Sequence, residues 1–245
     1  MDPENPIEPA SKKRKTTTDL KQWITNQTNV GLEITKQLLQ TEFKNTNMVY
    51  SPLSIHIVLS IVAAGKRGSD LDGFLSFLKS KSVDDLNSLA YYLTTSVLAD
   101  QSAKGGPCLN LAVGLWADQS EPLDDSYKEV VCESYKAALE LVDFKANPDK
   151  VRVEVNSWVE KMTKGLITNI LSPNAVTNRT RRIFANALYF KASWDERYKF
   201  YEPYTKKEDH EFHLLNGDSI KGVPYMTSSD SHFMKAFDGF KVLKS

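Results

Sequence analysis

The sequence predicts an α+β fold in which helices dominate the first part of the chain and strands dominate its end. Three observations support this prediction. Apolar residues recur at helical spacing from about residue 29, they alternate as in strands from Leu109, and hairpin-like runs follow Glu208. The chain of 245 residues is predicted to consist of a disordered tail over residues 1–20 and one domain over 21–245.

The composition is that of an ordinary soluble protein. Hydrophobic residues make up 41% and charged residues 25%, and the formal net charge is +0, so no bulk charge favours nucleic acid or membrane. The longest apolar stretch, Ile55–Ala64, is too short to cross a bilayer. Because the N-terminus has no apolar signal region, we expect an intracellular protein of the cytoplasm, the nucleus or both. Cys108 and Cys132 are too few for a disulfide framework and are expected to be free thiols.

The N-terminal tail contains a short basic run. Residues 1–20 hold three prolines and lack apolar periodicity, which indicates disorder. Lys12, Lys13, Arg14 and Lys15 fit a nuclear import signal or a nucleic-acid-binding arm. No aromatic residue interleaves the run, which disfavours nucleic acid.

The domain is predicted to open with two helices and a short strand between them. Apolar residues at every fourth position predict a helix from Asn29 to Phe43. The segment Met48–Tyr50 contains a β-branched and an aromatic residue and is predicted to form a short strand. Ser51 is then a candidate helix cap, with Pro52 at the first helical position. That helix, which extends to about Ala64, is apolar on nearly all sides and should be buried.

Helices and strands alternate in the middle of the chain. Helical spacing predicts helices at 71–78, 84–98 and 127–135, and alternation predicts strands at 109–115 and 139–144. Asp149–Leu171 is predicted to be one long amphipathic helix, with Gly165 as a possible break. Ile183–Lys191 is apolar on both faces, which favours a strand in the middle of a covered sheet.

The last third is predicted to form β-hairpins. Asn216-Gly217 is a strong two-residue turn signal between strands at Phe212–Leu215 and Ser219–Met226. A final strand is predicted within Phe237–Ser245.

Five segments, in order, resemble one known family. They are NMVYSPLSI at 47–55, VNSWVEKMTKGLITNIL at 155–171, FANALYFKASW at 184–194, FHLLNGDSIKGVPYMTS at 212–228 and FDGFKVL at 237–243. Each alone is weak, but together they identify a resemblance to the serpins, and to plant serpins in particular, over about 27–244.

The resemblance implies helices packed on a large central mixed sheet, together with a second β-sheet. It also implies a mechanism, in which a protease cleaves a reactive loop and the cut loop enters the central sheet as an extra strand. The loop, the strand beside it and the final core strands correspond to positions beyond Ser245. We therefore expect a partial, C-terminally truncated serpin fold that is non-inhibitory.

Two alternatives remain open at this stage. If the true chain continues past Ser245, it is an inhibitor of serine or cysteine proteases; alternatively, the basic tail makes it a nuclear interaction protein. The expected partner is a protein that completes the sheet edge, or a second copy of the chain, with a protease as partner only for a longer chain. No small-molecule substrate is expected.

The resemblance also implies two structural sites. Ser51, Ser54 and Asn186 match the family's "shutter", a polar cluster beneath the main sheet that governs strand separation. Asn186 lies in an otherwise apolar strand, and a buried amide must find hydrogen bonds. A purely structural role is favoured over gating, because the resemblance places a histidine partner of this cluster on a strand that corresponds to positions beyond Ser245. Trp194 matches the "breach" at the top of the sheet where insertion begins, and is interpreted mainly as a packing residue.

Nothing in the sequence predicts catalysis, a metal or a cofactor. His210 and His213 lie near each other but face opposite sides of a strand, and further ligands would have to converge on them. No Gly-X-Ser-X-Gly, phosphate-loop or dinucleotide motif is present. Ser51 lacks the context of an activated nucleophile.

Overall fold

The computed structural model describes residues 17–44, 46–193, 211–225 and 233–244. The chain divides into two compact units, one ending at Lys191 and the other beginning at Ala192.

Six α-helices are formed by the described residues, all in the first unit. They are α1 (Thr17–Gln40), α2 (Pro52–Ala64), α3 (Gly68–Phe77), α4 (Val83–Tyr92), α5 (Asp125–Glu133) and α6 (Pro148–Met162). A π-helical turn, Leu93–Val97, continues α4, and a 3-10 turn lies at Ser102–Lys104. In α2 nearly every side is covered, as its apolar sequence predicts.

A three-stranded mixed sheet is the centre of the first unit. Its strands are β1 (Cys108–Asp118), β2 (Ala138–Val142) and β3 (Arg182–Lys191), in the order β2-β1-β3. β1 runs parallel to β2 and antiparallel to β3. The α+β class and the mixed sheet agree with the prediction.

Each face of the sheet is covered by a different helix. On one face, Val113 and Leu115 of β1 pack with Ile57 and Ile61 of α2 in the largest apolar cluster. On the other face, alternate residues of β1 and β3 pack against α6 through its valine stripe. Because alternate strand residues point to opposite faces, β1 is buried on both sides.

The second unit contains two hairpins. Its strands are β4 (Glu211–His213), β5 (Ser219–Lys221), β6 (Phe233–Phe237) and β7 (Phe240–Lys244). β4 pairs with β5 and β6 with β7, both antiparallel. Gly217 has φ +90° in the first turn, a conformation that glycine adopts at little cost.

The first helix begins earlier than the sequence suggested. α1 begins at Thr17 instead of Asn29, so the predicted boundary at residue 20 lies within the helix. Trp23 packs against the main cluster and Gln27 is buried, and these tertiary contacts outweigh the weak helical propensity of the segment. Residues 1–16 lie outside the described residues, so their predicted disorder remains a prediction.

Three other element predictions were wrong. The segment 47–50 forms no strand. α6 ends at Met162 instead of Leu171, because Lys164 (φ 52°) and Gly165 (φ 84°) turn left-handed and the Gly165 N–H bonds the Glu160 carbonyl at 2.8 Å. β3 was predicted in the middle of a sheet, but among the described residues it lies at an edge.

None of the described helices has the length and apolar character needed to span a membrane.

Candidate functional site

The start of α2 brings Ser51 and Ser54 together. Ser51 caps the helix, since its Oγ accepts a hydrogen bond from the Ser54 N–H at 3.2 Å, and Pro52 occupies the first turn. The Ser54 hydroxyl donates to the Ser51 carbonyl at 3.1 Å. The predicted cap is therefore present, and both hydroxyls are engaged locally.

Asn186 of β3 joins this pair across a long sequence separation. Its Nδ2 donates to the Ser54 carbonyl at 2.8 Å, a contact between positions 132 apart. Asn186 lies opposite Val113 of β1, which places it on the face that α2 covers. The structure thus brings Ser51, Ser54 and Asn186 into one hydrogen-bonded group, whose role in strand separation remains a prediction.

A cleft of about 330 Å³ runs along the outer edge of β3. It is lined on the α2 side by Ile55, Val58 and Leu59, on the α6 side by Val155, and otherwise by Ile170, Leu171 and residues 183–186. We call this space the edge cleft. Among the described residues its lining is almost entirely apolar, with Asn186 as the one amide side chain, so it suits an extended apolar segment better than a polar ligand.

Asn156 of α6 binds the backbone of Leu171, one of the residues that line the edge cleft, and sequence reasoning missed it. Its Nδ2 donates to the Leu171 carbonyl at 3.0 Å, and its Oδ1 accepts from the Leu171 N–H at 2.9 Å. This two-bond clamp holds the irregular segment after α6 against the helix. The signal available in the sequence was an amide between Val155 and Val159 on the apolar stripe of the predicted helix, because a buried amide needs partners. In the structure Asn156 is 5% exposed.

His56 is a second buried polar residue of α2 that sequence reasoning did not single out. It is 3% exposed, and burial lowers its pKa to about 4. Nδ1 lies 3.4 Å from the Ser60 hydroxyl, which donates to the His56 carbonyl at 2.8 Å. The imidazole is therefore neutral at neutral pH and acts as a packed core group.

Of the remaining predicted residues, the structure describes only His213. Trp194, Lys12, Lys13, Arg14, Lys15 and His210 lie outside the described residues. His213 Nδ1 lies 2.8 Å from the Ser219 hydroxyl. Within the described ranges no three potential ligands converge on a metal position.

The comparisons with known proteins decide the family. A family model described as serpin (serine protease inhibitor) matches residues 25–244. The chain belongs to the serpin family. Serpin-ZX of Arabidopsis thaliana is 45% identical over 225 residues, covering 92% of this chain and 56% of that protein. The Arabidopsis thaliana protein described as probable non-inhibitory serpin-Z5 is 40% identical, covering 92% of this chain and 52% of its own length.

Solved serpin structures share the fold. The native stressed conformation of Arabidopsis AtSerpin1 matches with a TM-score of 0.82 at 45% identity, covering 93% of this chain and 57% of the other. Emu ovalbumin matches with a TM-score of 0.73 at 26% identity, covering 92% and 58%. The chain therefore spans little more than half the length of these serpins, and within that span the predicted plant-serpin likeness is confirmed.

Proposed function

We propose that this serpin chain is non-inhibitory and binds an extended polypeptide strand along the outer edge of β3. The observation that carries the proposal is the edge cleft beside a strand with no neighbour on that side among the described residues. The occupant is a strand of a partner protein or of a second copy of the chain.

The physical argument rests on unpaired backbone groups. A strand edge presents a row of N–H and C=O groups that bind another strand by sheet extension. Beside that row, the apolar lining of the cleft offers burial for alternate side chains of the incoming strand. Phe190, 64% exposed at the far end of β3, extends the apolar surface along the same strand.

Association along β3 is tested by charge substitution. Phe190→Lys places a charge at the end of the edge strand, which opposes strand addition. Light scattering coupled to size exclusion should show less association for this variant than for the unsubstituted chain. Leu32→Lys is the matched control, because Leu32 is 62% exposed on α1. Equal association of all three proteins, or a strictly monomeric parent that binds no polypeptide, would contradict strand binding.

A second candidate, covalent inhibition of a serine or cysteine protease, is favoured by the family description itself. In that mechanism the protease is trapped as an acyl complex that survives denaturation. Incubation of the 245-residue chain with a panel of both protease classes, followed by denaturing electrophoresis, separates the candidates. The non-inhibitory proposal expects cleavage or no reaction, and one stable covalent complex would overturn it.

The basic run supports a separate proposal about location. Lys12, Lys13, Arg14 and Lys15 form the four-residue cluster of an import signal. Alanine at all four positions in a fluorescent fusion should reduce the nuclear signal. An unchanged distribution would show that the run does not direct import.

A further inference from the structure

Cys108 and Lys164 form a close thiol–amine pair away from the edge cleft. Cys108 is the first residue of β1, and Lys164 lies in the turn that follows α6. Lys164 Nζ donates a hydrogen bond to Cys108 Sγ at 3.3 Å. The two residues are 56 positions apart in sequence, so the fold and not local chain geometry creates the pair.

Several contacts fix the lysine in this position. Its Nζ lies 4.7 Å from the centre of the Tyr189 ring on β3, within the range of a cation–π interaction. Its backbone is held left-handed (φ 52°), and Asn110 of β1 donates to the Met162 carbonyl at 2.6 Å, which fastens the end of α6 to the sheet. The amine is therefore aimed at the sulfur by its surroundings.

The charged groups around the pair also favour a short distance between Lys164 Nζ and Cys108 Sγ. Asp100 accepts hydrogen bonds from the Ser102 N–H at 3.0 Å and the Leu109 N–H at 3.4 Å, which anchors this carboxylate beside the start of β1. The hydrogen bond to Cys108, together with attraction to the Cys108, Tyr189 and Asp100 side chains, raises the pKa of Lys164. These interactions hold the ammonium beside the sulfur, and the ammonium must lose a proton before its nitrogen can act as a nucleophile. Lys191 occupies the register position opposite Cys108.

We propose that Cys108 and Lys164 form a covalent sulfur–nitrogen cross-link when the protein meets hydrogen peroxide. Peroxide first transfers one oxygen to Sγ, which breaks the O–O bond, releases water and leaves a sulfenic acid. The Lys164 ammonium loses a proton to solvent, and the amine then attacks Sγ. The S–N bond forms as the S–O bond breaks, and a second water leaves. Overall, thiol, ammonium and peroxide give a sulfenamide, two waters and one proton.

The cross-link would fasten α6 to the sheet that it covers. It joins the turn after the helix to the first residue of β1, so it closes a long loop and restricts the unfolded chain. Thiol reductants would reverse it by attack on the sulfur. We therefore expect oxidised protein to melt at a higher temperature than the reduced protein, and the difference to vanish after reduction.

Peptide mapping by mass spectrometry tests the proposal on the full chain. After mild peroxide treatment, we expect peptides containing residues 108 and 164 to be linked, with a mass lower by two hydrogen atoms. Cys132 provides an internal control, since it is an exposed thiol on α5. Cys132→Ser should cross-link as the parent does, and Cys108→Ser should not.

Lys164→Arg separates the cross-link from simple oxidation. It keeps the positive charge but replaces the amine, so we expect dimedone to trap a sulfenic acid at Cys108 without any link. Absence of the linked peptide in native parent protein would overturn the proposal. An equal yield of the link in denatured protein would also overturn it, because the folded geometry would then play no part.

Discussion

The Asn186 side chain forms a hydrogen bond that joins β3 to α2. Its amide reaches the Ser54 carbonyl at 2.8 Å in a region otherwise built from apolar contacts. A hydrogen bond in such surroundings contributes about 1 kcal/mol net, and leaving one partner unsatisfied costs more.

Asn186→Ala should lower the free energy of unfolding by about 1–2 kcal/mol, measured by urea denaturation. The lost bond leaves the Ser54 carbonyl with one partner fewer, and the smaller side chain leaves a gap. Asn169→Ala is the control, because within the part of the chain that the structure describes, exposed Asn169 bonds only the neighbouring Thr168 side chain. Similar decreases in the free energy of unfolding for both variants would show that the Asn186 hydrogen bond stabilises the fold no more than an exposed one does.

His56 gives the stability a pH dependence with a defined sign. Its pKa is about 4 in the folded chain and about 6.5 when unfolded, so the unfolded chain binds the proton first. Stability should therefore fall as the pH drops from about 6.5 toward 4, by up to about 3 kcal/mol. Below that range both states are protonated and the contribution stays constant.

His56→Gln removes the titrating group, and its stability should change less across this pH range than that of the parent. Urea midpoints at several pH values measure the difference. Parallel pH profiles for parent and variant would show that His56 is not a source of acid sensitivity.

At the scale of the element, α6 and the segment after it depend on Asn156. The helix itself ends at Met162, and the Asn156 clamp on Leu171 holds the irregular chain beyond it. The two hydrogen bonds between the Asn156 side chain and the Leu171 backbone take the place of the backbone hydrogen bonds that a longer helix would have formed.

Asn156→Ala should open this segment without unfolding α6. Because the Leu171 N–H loses its acceptor, its hydrogen exchange should accelerate roughly tenfold, and tryptic cleavage after Lys164 should become faster. Glu154→Ala is the control on the exposed face of the same helix. Unchanged exchange at Leu171 would contradict the clamp.

Local signals in the sequence predicted the elements that depend on local chemistry. The Ser51 cap and the Asn216-Gly217 turn involve neighbouring residues. The cap occurs as predicted. The chain also turns at Gly217, but the loop is longer than the predicted two residues, because β4 ends at His213 and β5 begins at Ser219. For α6, Gly165 was named as a possible break, and the backbone does turn there. The helix was nevertheless predicted to extend to Leu171, because apolar residues such as Ile167 and Ile170 continue the helical spacing. Asn186 was recognised only through the resemblance, since its partner lies 132 positions away.

At the scale of the whole molecule, large apolar side chains remain exposed in both units. Phe190 is 64% exposed in the first unit, and Leu215 (95%) and Phe233 (80%) in the second. Each unit therefore carries apolar surface of the kind that interaction sites or aggregation-prone regions present.

Heating should accordingly produce concentration-dependent, irreversible unfolding. Exposed apolar groups, and an outer edge of β3 that pairs with no other strand among the described residues, let unfolded chains associate faster than they refold. Calorimetric scans at several protein concentrations, each followed by a second scan, measure this. A sharp, reversible and concentration-independent transition of a monomer would contradict it.

The pairing of β1 with β3 also sets an order of events during synthesis. β1 meets β2 soon after both leave the ribosome, whereas its β3 ladder reaches from Cys108 to Lys191 and must wait for a much longer nascent chain. Closing so large a loop is slow compared with local helix formation. During synthesis β1 is therefore paired with β2 alone while the residues up to β3 are added. Over that interval its other edge is available for a chaperone to bind.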